Sequence, residues 1–250
     1  MDNEISTEQI NSFQNFYNKY ITKYLRLASK ILLWVVIIFF TSSVFITLVY
    51  KFINPPVSNL MVIRYFQAGK NQPERKIIKK WKKLKNISPN LIQAVVASED
   101  NNFLNHFGID FDAIKEASKY NRNHKRKHGA STITQQTAKN LFLWPKRSYI
   151  RKGFEVYFTL LIEICWSKKR IMEVYLNITE MGKGIYGAEA ASNIYFNKPA
   201  SKLTKGEAAM LAAILPNPRK RNPAKPSAYL IGRQTHILYL MDKIGKIEFN

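Results

Sequence analysis

Residues 129–166 read GASTITQQTAKNLFLWPKRSYIRKGFEVYFTLLIEICW. Two helices and their boundaries are written in this stretch. Thr132, with Gln135 three residues on, has the form of a capping box, in which each side chain satisfies the other residue's free backbone N–H. The helix it opens stops at Trp144-Pro145, because proline removes a donor and clashes with the preceding turn. Ser148 to Trp166 then reads as a long amphipathic helix with Ile150, Phe154, Phe158, Leu161 and Cys165 inward. The same signals recur outward. Ser88-Pro89 is an N-cap followed by proline at the first helical position, and Leu91, Ile92, Val95 and Val96 supply an apolar stripe to about Glu99. Phe111 to Tyr120 reads as a short helix, and Lys168 to about Asn177 as another. Gly182, Gly184 and Gly187 mark a turn or loop. Thr204 to Leu215 is Ala-rich and ends at Pro216-Asn217-Pro218, and a final helix covers Ser227 to Lys243. No internal repeat is found, and the expected class is mainly α.

Residues 31–50, ILLWVVIIFFTSSVFITLVY, carry no charge over 20 residues. As a helix they cover a bilayer core of roughly 30 Å. A signal peptide has a shorter apolar region and a small-residue cleavage site, and neither is present here. A buried core helix is disfavoured because nothing amphipathic breaks the run. Lys19, Lys23, Arg26 and Lys30 precede the span and favour a cytoplasmic N-terminus, although the following flank is basic too. In residues 1–30, Phe13, Phe16, Tyr17, Tyr20, Tyr24 and Leu27 fall on one helical face, which reads either as an amphipathic helix on the inner leaflet or as a frayed tail.

After the span, Asn54-Pro55-Pro56 starts a linker, and residues 57–70 are expected to be extended. Arg75, Lys76, Lys79, Lys80, Lys82, Lys83 and Lys85 follow, with Ile77, Ile78, Trp81 and Leu84 interleaved at helical spacing. Two readings stand: a solvated helix with its apolar edge on the core, or a juxtamembrane surface that meets anionic lipid. The expected organisation is a cytoplasmic segment at 1–30, a transmembrane helix at 31–50, a linker and basic segment at 51–87, and one globular domain at 88–250.

The 250 residues carry 39 Lys+Arg against 17 Asp+Glu, a formal charge of +22, with 46% hydrophobic residues. That hydrophobic share excludes a disordered polyelectrolyte, and the charge calls for an anionic partner. The single cysteine, Cys165, excludes an internal disulfide framework and a Cys-rich zinc site, and its place on an apolar helix face reads as inert core.

Glu99-Asp100 ends an apolar helix. There the helix's partial negative charge, burial and the neighbouring acid all raise a carboxylate's pKa toward that of a useful general base. An ordinary exposed acid pair is the plain alternative. Arg147, Arg151 and Glu155 are spaced by four along one helix side, where Arg151–Glu155 also reads as a routine surface ion pair. With Lys139, Lys152, Gln135 and Gln136 they offer the cations and amides that a departing diphosphate requires.

These residues carry a resemblance. Glu99 to Asp110, EDNNFLNHFGID, is similar to the ED-x-x-F-x-x-H-x-G-x-D signature of the peptidoglycan glycosyltransferases (glycosyltransferase family 51). Gly129 to Asn140 resembles the family's G-x-STITQQ-x-x-KN block, and Arg151 to Glu155 its RK-x-x-E block. Tyr175-Leu176-Asn177 with Gly182, Gly184, Gly187, Ala190-Ala191 and Tyr195-Phe196 resembles the fourth block, and residues 212–218, AAILPNP, the fifth. Five blocks in order over about residues 88–220 make a specific match, nearest to the monofunctional biosynthetic transglycosylases of Gram-negative bacteria. The bifunctional penicillin-binding relatives add a transpeptidase domain, and this sequence shows no S-x-x-K or K-T-G set, so no transpeptidase activity is expected.

The resemblance implies a lysozyme-like, two-lobed domain behind one transmembrane helix in the bacterial inner membrane, with the catalytic domain periplasmic. It implies an enzyme that polymerises lipid II into β-1,4-linked glycan with inversion at the donor MurNAc carbon, releasing undecaprenyl diphosphate. Glu99 would be the general base, and Glu155 the second essential glutamate, assisting the diphosphate directly or through Mg or Mn. Lys139 and Arg147 would contact the donor diphosphate, with Ser131, Gln135, Gln136, Arg151 and Lys152 in the same patch. Asp100 would orient the base loop and His106 would fix it by hydrogen bonding. Lipid II, the growing strand, membrane lipid and cell-wall synthesis proteins are the implied partners, and nucleic acid is not. A glycan-cleaving enzyme of lysozyme type and a non-enzymatic cell-wall scaffold are the competing readings.

The sequence departs from the family pattern at Thr159, Ile162, Lys183 and Asn197, where alanine, leucine, aspartate and glycine are usual. The first two concern packing, and Lys183 changes charge near the expected cleft. His124 and His128 are four apart, but the surrounding cations and the lack of acids argue against zinc.

Overall fold

The computed structural model describes residues 7–124 and 129–249. It divides into two compact units at Val49/Tyr50. The first unit consists of most of helix α1 (Thr7–Phe52). This helix is continuous through Lys30, so the N-terminal aromatic segment and the apolar span form one element rather than two. Its stretch Phe16–Phe52 is long and apolar enough to cross a membrane. Phe16, Tyr17, Tyr24 and the apolar residues Ile31 to Trp34 are all exposed, as a lipid-facing helix requires. The side chain of Phe13 lies outside the described residues.

The second unit, from Tyr50 onward, carries the rest. In chain order it contains α2 (Asn59–Gln67), β1 (Ile78–Lys79), α3 (Pro89–Glu99), α4 (Phe111–Asn123), α5 (Ile133–Phe142), α6 (Tyr149–Cys165) and α7 (Lys168–Ile178). These are followed by β2 (Glu180–Gly182), β3 (Ile185–Tyr186), α8 (Ala188–Phe196), α9 (Lys205–Ile214) and α10 (Ala228–Ile244). The mainly helical expectation holds. α3, α9 and α10 pack on one another, and α5 packs on α2, α6 and α7. In the first group Leu91, Val95, Leu211, Ile237 and Met241 are fully buried, and the alanines of α9 let its neighbours approach closely. In the second group the fully buried residues are Ile133, Ile162, Ile171 and Met172. Burying side chains of this size contributes roughly 1.5–3 kcal/mol each.

Several helix boundaries fall where local chemistry puts them. Thr132 and Gln135 close the expected capping box, and Thr204 with Glu207 forms a second one at α9. Ser148, Ser167 and Ser227 cap α6, α7 and α10 through their hydroxyls. Ser88 precedes α3 as expected, but its hydroxyl donates to the Leu203 carbonyl at 2.9 Å rather than accepting from the helix. Asn197 sits at φ 51°, ψ 40°, the left-handed cap of α8, which explains why glycine is usual there and asparagine is accepted.

Three expectations need correction. Residues 57–70 are not extended: Ser58 caps α2, which buries Leu60 and Met61. Residues 75–85 are not a helix. Ile78–Lys79 pairs in parallel with β3, and β3 pairs antiparallel with β2 in a small three-stranded sheet. Tertiary partners take the backbone groups that a helix would have used: Asn177 bonds both the N–H and the carbonyl of Lys82 at 2.8 Å, and Glu173 accepts from Leu84 N at 2.8 Å. Three of the basic side chains also have partners within the fold, although Lys80 stays exposed. Lys79 donates to the Pro55 and Pro56 carbonyls, and Lys80 and Lys82 pair with Glu189. The third correction concerns α6. Ile150 is 72% exposed, while Arg151, Glu155, Phe158, Thr159, Ile162 and Glu163 are buried, so the helix turns a largely polar stripe inward.

Lys183 pairs with buried Glu74 at 3.8 Å. The His124 ring stacks on Tyr120, and His128 lies outside the described residues. Cys165 is half-buried.

Candidate active site

Glu99 is the last residue of α3, and its Oε2 accepts from Gln136 Nε2 of α5 at 2.9 Å. Gln136 in turn accepts from the hydroxyl of fully buried Tyr175 at 3.2 Å. That bond fixes which end of the amide faces Glu99: the oxygen is taken by Tyr175, so the N–H points to the carboxylate. Burial pushes the Glu99 carboxyl above the usual range near 4.5, against the opposing pull of Gln136, Arg233, Lys139 and Arg221.

Asp100 fastens this end of α3 to its surroundings. One oxygen meets His106 Nε2 at 2.8 Å, and the other accepts the backbone N–H of Ile133 at 2.9 Å, at the positive end of α5. Thr132 donates to the Gly108 carbonyl at 2.6 Å. Lys168, which the sequence reading did not single out, donates to the His106 carbonyl at 2.6 Å and to Glu163 at 2.8 Å. Gly108 lies at φ 76°, and a Cβ there would meet Thr159 Cγ2 at 2.7 Å and Glu163 Cγ at 2.8 Å. The loop after Glu99 is therefore pinned at four points against α5, α6 and α7. Asp100, His106 and Asp110 offer ligand atoms within 4.8 Å of one another. Both oxygens of Asp100 are already engaged, and Asp110 caps α4 through the Ala113 N–H at 2.8 Å, so the two acids act as fasteners, while His106 Nδ1 is buried without a hydrogen-bond partner among the described residues.

Beside Glu99 lies a cavity of about 590 Å³ lined by Lys139, Arg147, Arg151 and Lys152, with Glu155 at its wall. Ser131, Gln135 and Gln136 complete that side. Both oxygens of Glu155 are held by cations, Oε2 by Arg151 Nη1 and Oε1 by Lys152 Nζ at 2.5 Å. Lys139 and Arg147 make no ion pair among the described residues. Burial lowers the pKa of Lys139, and Glu155 opposes this. Four cations against one carboxylate leave three net positive charges facing the cavity. Gln135 lines it too, although its Oε1 is committed to the capping box. A smaller cavity of about 210 Å³ holds Glu99 and shares Gly129 and Ser131 with the first. Glu99 and the cations thus line two adjoining cavities that share Gly129 and Ser131, and Gln136, which bonds Glu99, lines the cation side.

Both Glu155 oxygens are taken by Arg151 and Lys152, so a divalent cation there would have to displace Lys152, whose side chain is 44% exposed. Of the residues picked out in the sequence, Ser131, Gln135, Gln136, Lys139, Arg147, Arg151, Lys152 and Glu155 line the cation cavity and Glu99 and Asp100 the adjoining one, while His106 stands behind them on Asp100. Sequence reading missed Tyr175 as the group that orients Gln136, and the positive charges of Arg221 and Arg233 near Glu99. Those arginines lie 122 and 134 positions further along the chain, and no local pattern announces them.

A family model described as transglycosylase matches residues 67–242. It begins inside the stretch that the sequence reading assigned to a linker. A Bacteroides thetaiotaomicron protein named biosynthetic peptidoglycan transglycosylase is 54% identical over 228 residues, covering 90% of each chain. Relatives of the same name from Bdellovibrio bacteriovorus and Shewanella oneidensis are 52% and 47% identical, covering 81% and 83% of this chain and 81% and 88% of their own. The matched segment encloses both cavities, and the chain belongs to the transglycosylase family.

Proposed function

We propose that the chain polymerises lipid II into peptidoglycan strands, with Glu99 as general base and the neighbouring cations as the cradle for the leaving diphosphate. Membership of the family supports strand polymerisation, and the adjoining Glu99 and cation cavities support the division of roles. Glu99 takes the proton from the 4-hydroxyl of the acceptor's GlcNAc as that oxygen attacks the anomeric carbon of the donor's MurNAc. The C–O bond to the diphosphate breaks on the opposite face, so the carbon inverts and the new linkage is β-1,4. Gln136, oriented by Tyr175, holds the carboxylate toward the acceptor.

A diphosphate is an acidic leaving group and needs charge stabilisation rather than a proton. Lys139 and Arg147, which have no internal ion pair among the described residues, meet the developing charge most directly. Glu155 acts through its two partners: it sets Arg151 and Lys152 at the wall and compensates part of their charge. A residue that holds cations in place this way is a positioning residue, and no metal is needed for that role.

The apolar helix supports membrane anchoring. We assign it to the inner membrane, with the basic N-terminal flank cytoplasmic and the catalytic unit periplasmic. Lipid II is confined to the bilayer, so anchoring the enzyme there raises the effective concentration of each for the other. The observation that carries the reading is that the cavity holding the half-buried Glu99 carboxylate adjoins, through Gly129 and Ser131, a cavity with three net positive charges. Cleavage of neutral sugar bonds, the competing chemistry, needs a proton donor at the sugar oxygen and no such cradle. Incubation with lipid II and, separately, with finished glycan tests it. Strand growth is expected from the first and no change in the second, whereas shortening of finished glycan without growth would overturn it.

A further inference from the structure

A second large cavity, about 1060 Å³, lies between α4, α6 and the loop after Glu99. Its wall is mostly apolar: Phe107, Ile109, Phe111, Ile114, Val156 and Leu160 line it, with Asp110 and Asp112 at the α4 end. Phe111 is 75% exposed and Phe107 56%, a large uncovered area for side chains of this kind. α4 is amphipathic, yet it buries none of its residues. Its N-terminus is held by the Asp110 cap, and its apolar side faces open space over α6. An amphipathic helix is ordinarily held by the apolar face it covers, and here Phe111 and Ile114 on that face are exposed among the described residues.

The place of the cavity points to its occupant. Ser131, Gln135 and Lys152 line both it and the cation cradle. Lys152 stands at the boundary, with its ammonium on Glu155 and its stem along the apolar wall. A ligand that spans the two compartments has an anionic head and a flexible hydrocarbon tail in direct continuation. The volume is that of a site for a compact ligand of several hundred Å³, not of a whole long polyprenyl chain. We infer that the cavity between α4 and α6 takes the first isoprene units of the donor's polyprenyl diphosphate while its head lies in the cradle. This rests on the reading that the donor is a polyprenyl diphosphate. It adds that the protein itself, and not only the bilayer, holds the start of the tail, so the carrier's chain contributes to recognition at the site where its head departs.

The test uses the full chain in neutral-detergent micelles and measures binding of three probes by calorimetry: inorganic diphosphate, geranylgeranyl diphosphate and geranylgeraniol. The variants are Val156→Trp, which fills the cavity with apolar volume, and Leu160→Asn, which makes its wall polar. For the wild type, geranylgeranyl diphosphate is expected to bind at least about tenfold tighter than diphosphate, from burial of a few isoprene carbons. In both variants that ratio is expected to fall to near one, with diphosphate affinity within about twofold of wild type because the cradle is untouched. An unchanged ratio in the variants, an equal loss for both anions, or no tail increment in the wild type would overturn the inference. So would geranylgeraniol binding that matches geranylgeranyl diphosphate and falls with it in the variants, since that describes a generic lipid contact. Whether the wild type extends lipid II is scored in a separate assay. Failure of polymerisation with an intact tail increment refutes the proposed function and leaves this pocket assignment standing.

Discussion

Glu99 stands between opposing influences, and their balance sets two expectations at the scale of single residues. Burial raises its carboxyl pKa, while Gln136 and the charges of Arg233, Lys139 and Arg221 pull it down without cancelling the rise. A base must be deprotonated to act, so the acid limb of kcat/KM is expected above the ordinary carboxylate range near 4.5, which a pH–rate profile measures. The same shift carries a stability consequence. Between the unfolded and the raised folded value the folded chain binds more protons, so stability falls as pH rises through that window. Ionising Glu99 therefore costs the fold stability relative to the protonated acid. Glu99→Gln, which still accepts from Gln136, is expected to raise the melting temperature at pH 7 and to leave it nearly unchanged at pH 4. A drop at pH 7 would show that the carboxylate is stabilised where it stands. Gly108 gives a second expectation. Its φ of 76° and the closeness of Thr159 and Glu163 leave no room for a side chain. Gly108→Ala is expected to destabilise by about 1–3 kcal/mol in denaturant unfolding and to slow catalysis by loosening the loop that follows Glu99. Thr159, where alanine is usual, is part of that floor: its hydroxyl donates to the Glu155 carbonyl at 2.6 Å, which lets a polar residue stay buried.

At the scale of elements, what could be read from sequence followed the range of the forces that made it. The capping box at Thr132 and the helix end before Pro216 depend on neighbours a few residues away, and they stand in the structure as read. The segment 75–85 was misread because its partners are distant. Helical spacing of Ile77, Ile78, Trp81 and Leu84 promised a helix, but β3 and the side chains of Asn177 and Glu173 lie about a hundred residues on. The inward face of α6 was misassigned for a related reason. Periodicity ranks apolar residues as inward, but Arg151 and Lys152 satisfy Glu155, and Thr134 and Lys168 satisfy Glu163, so this helix can bury its polar side. The site residues themselves were legible because they lie in dense local blocks, while Arg221, Arg233 and Lys168 reach the site only through the tertiary fold. Arg170 shows the same long-range logic in a structural role. It donates to the carbonyls of Tyr50 and Ile53 and to Asn54, pairs with Glu173 at 2.6 Å, and lies over the Trp81 ring. Arg170→Ala is expected to destabilise the unit from Tyr50 onward by about 2–3 kcal/mol, measured by denaturant unfolding in detergent. A change within 0.5 kcal/mol, about the size of an ordinary surface substitution, would show that these bonds are replaceable by water.

For the molecule as a whole, charge and hydrophobicity describe an enzyme adapted to an anionic, membrane-bound substrate. The formal charge of +22 is distributed unevenly in purpose. Part of it is spent internally, as Lys79 on the proline carbonyls and Lys82 on Glu189, and part faces the cation cavity. The basic flank before the apolar span sets the expected topology. A C-terminal epitope tag is expected to be removed by protease added to spheroplasts, while an N-terminal tag survives until the membrane is opened. The reverse pattern would contradict the assignment of the catalytic unit to the periplasmic side. The central claim, one carboxylate acting beside a cationic cradle, is tested most directly by following lipid II polymerisation with wild type and Glu99→Gln side by side, with folding checked by thermal unfolding. Loss of the base in a folded chain is expected to slow strand growth by about 10²–10⁴-fold; growth at the wild-type rate would contradict the claim.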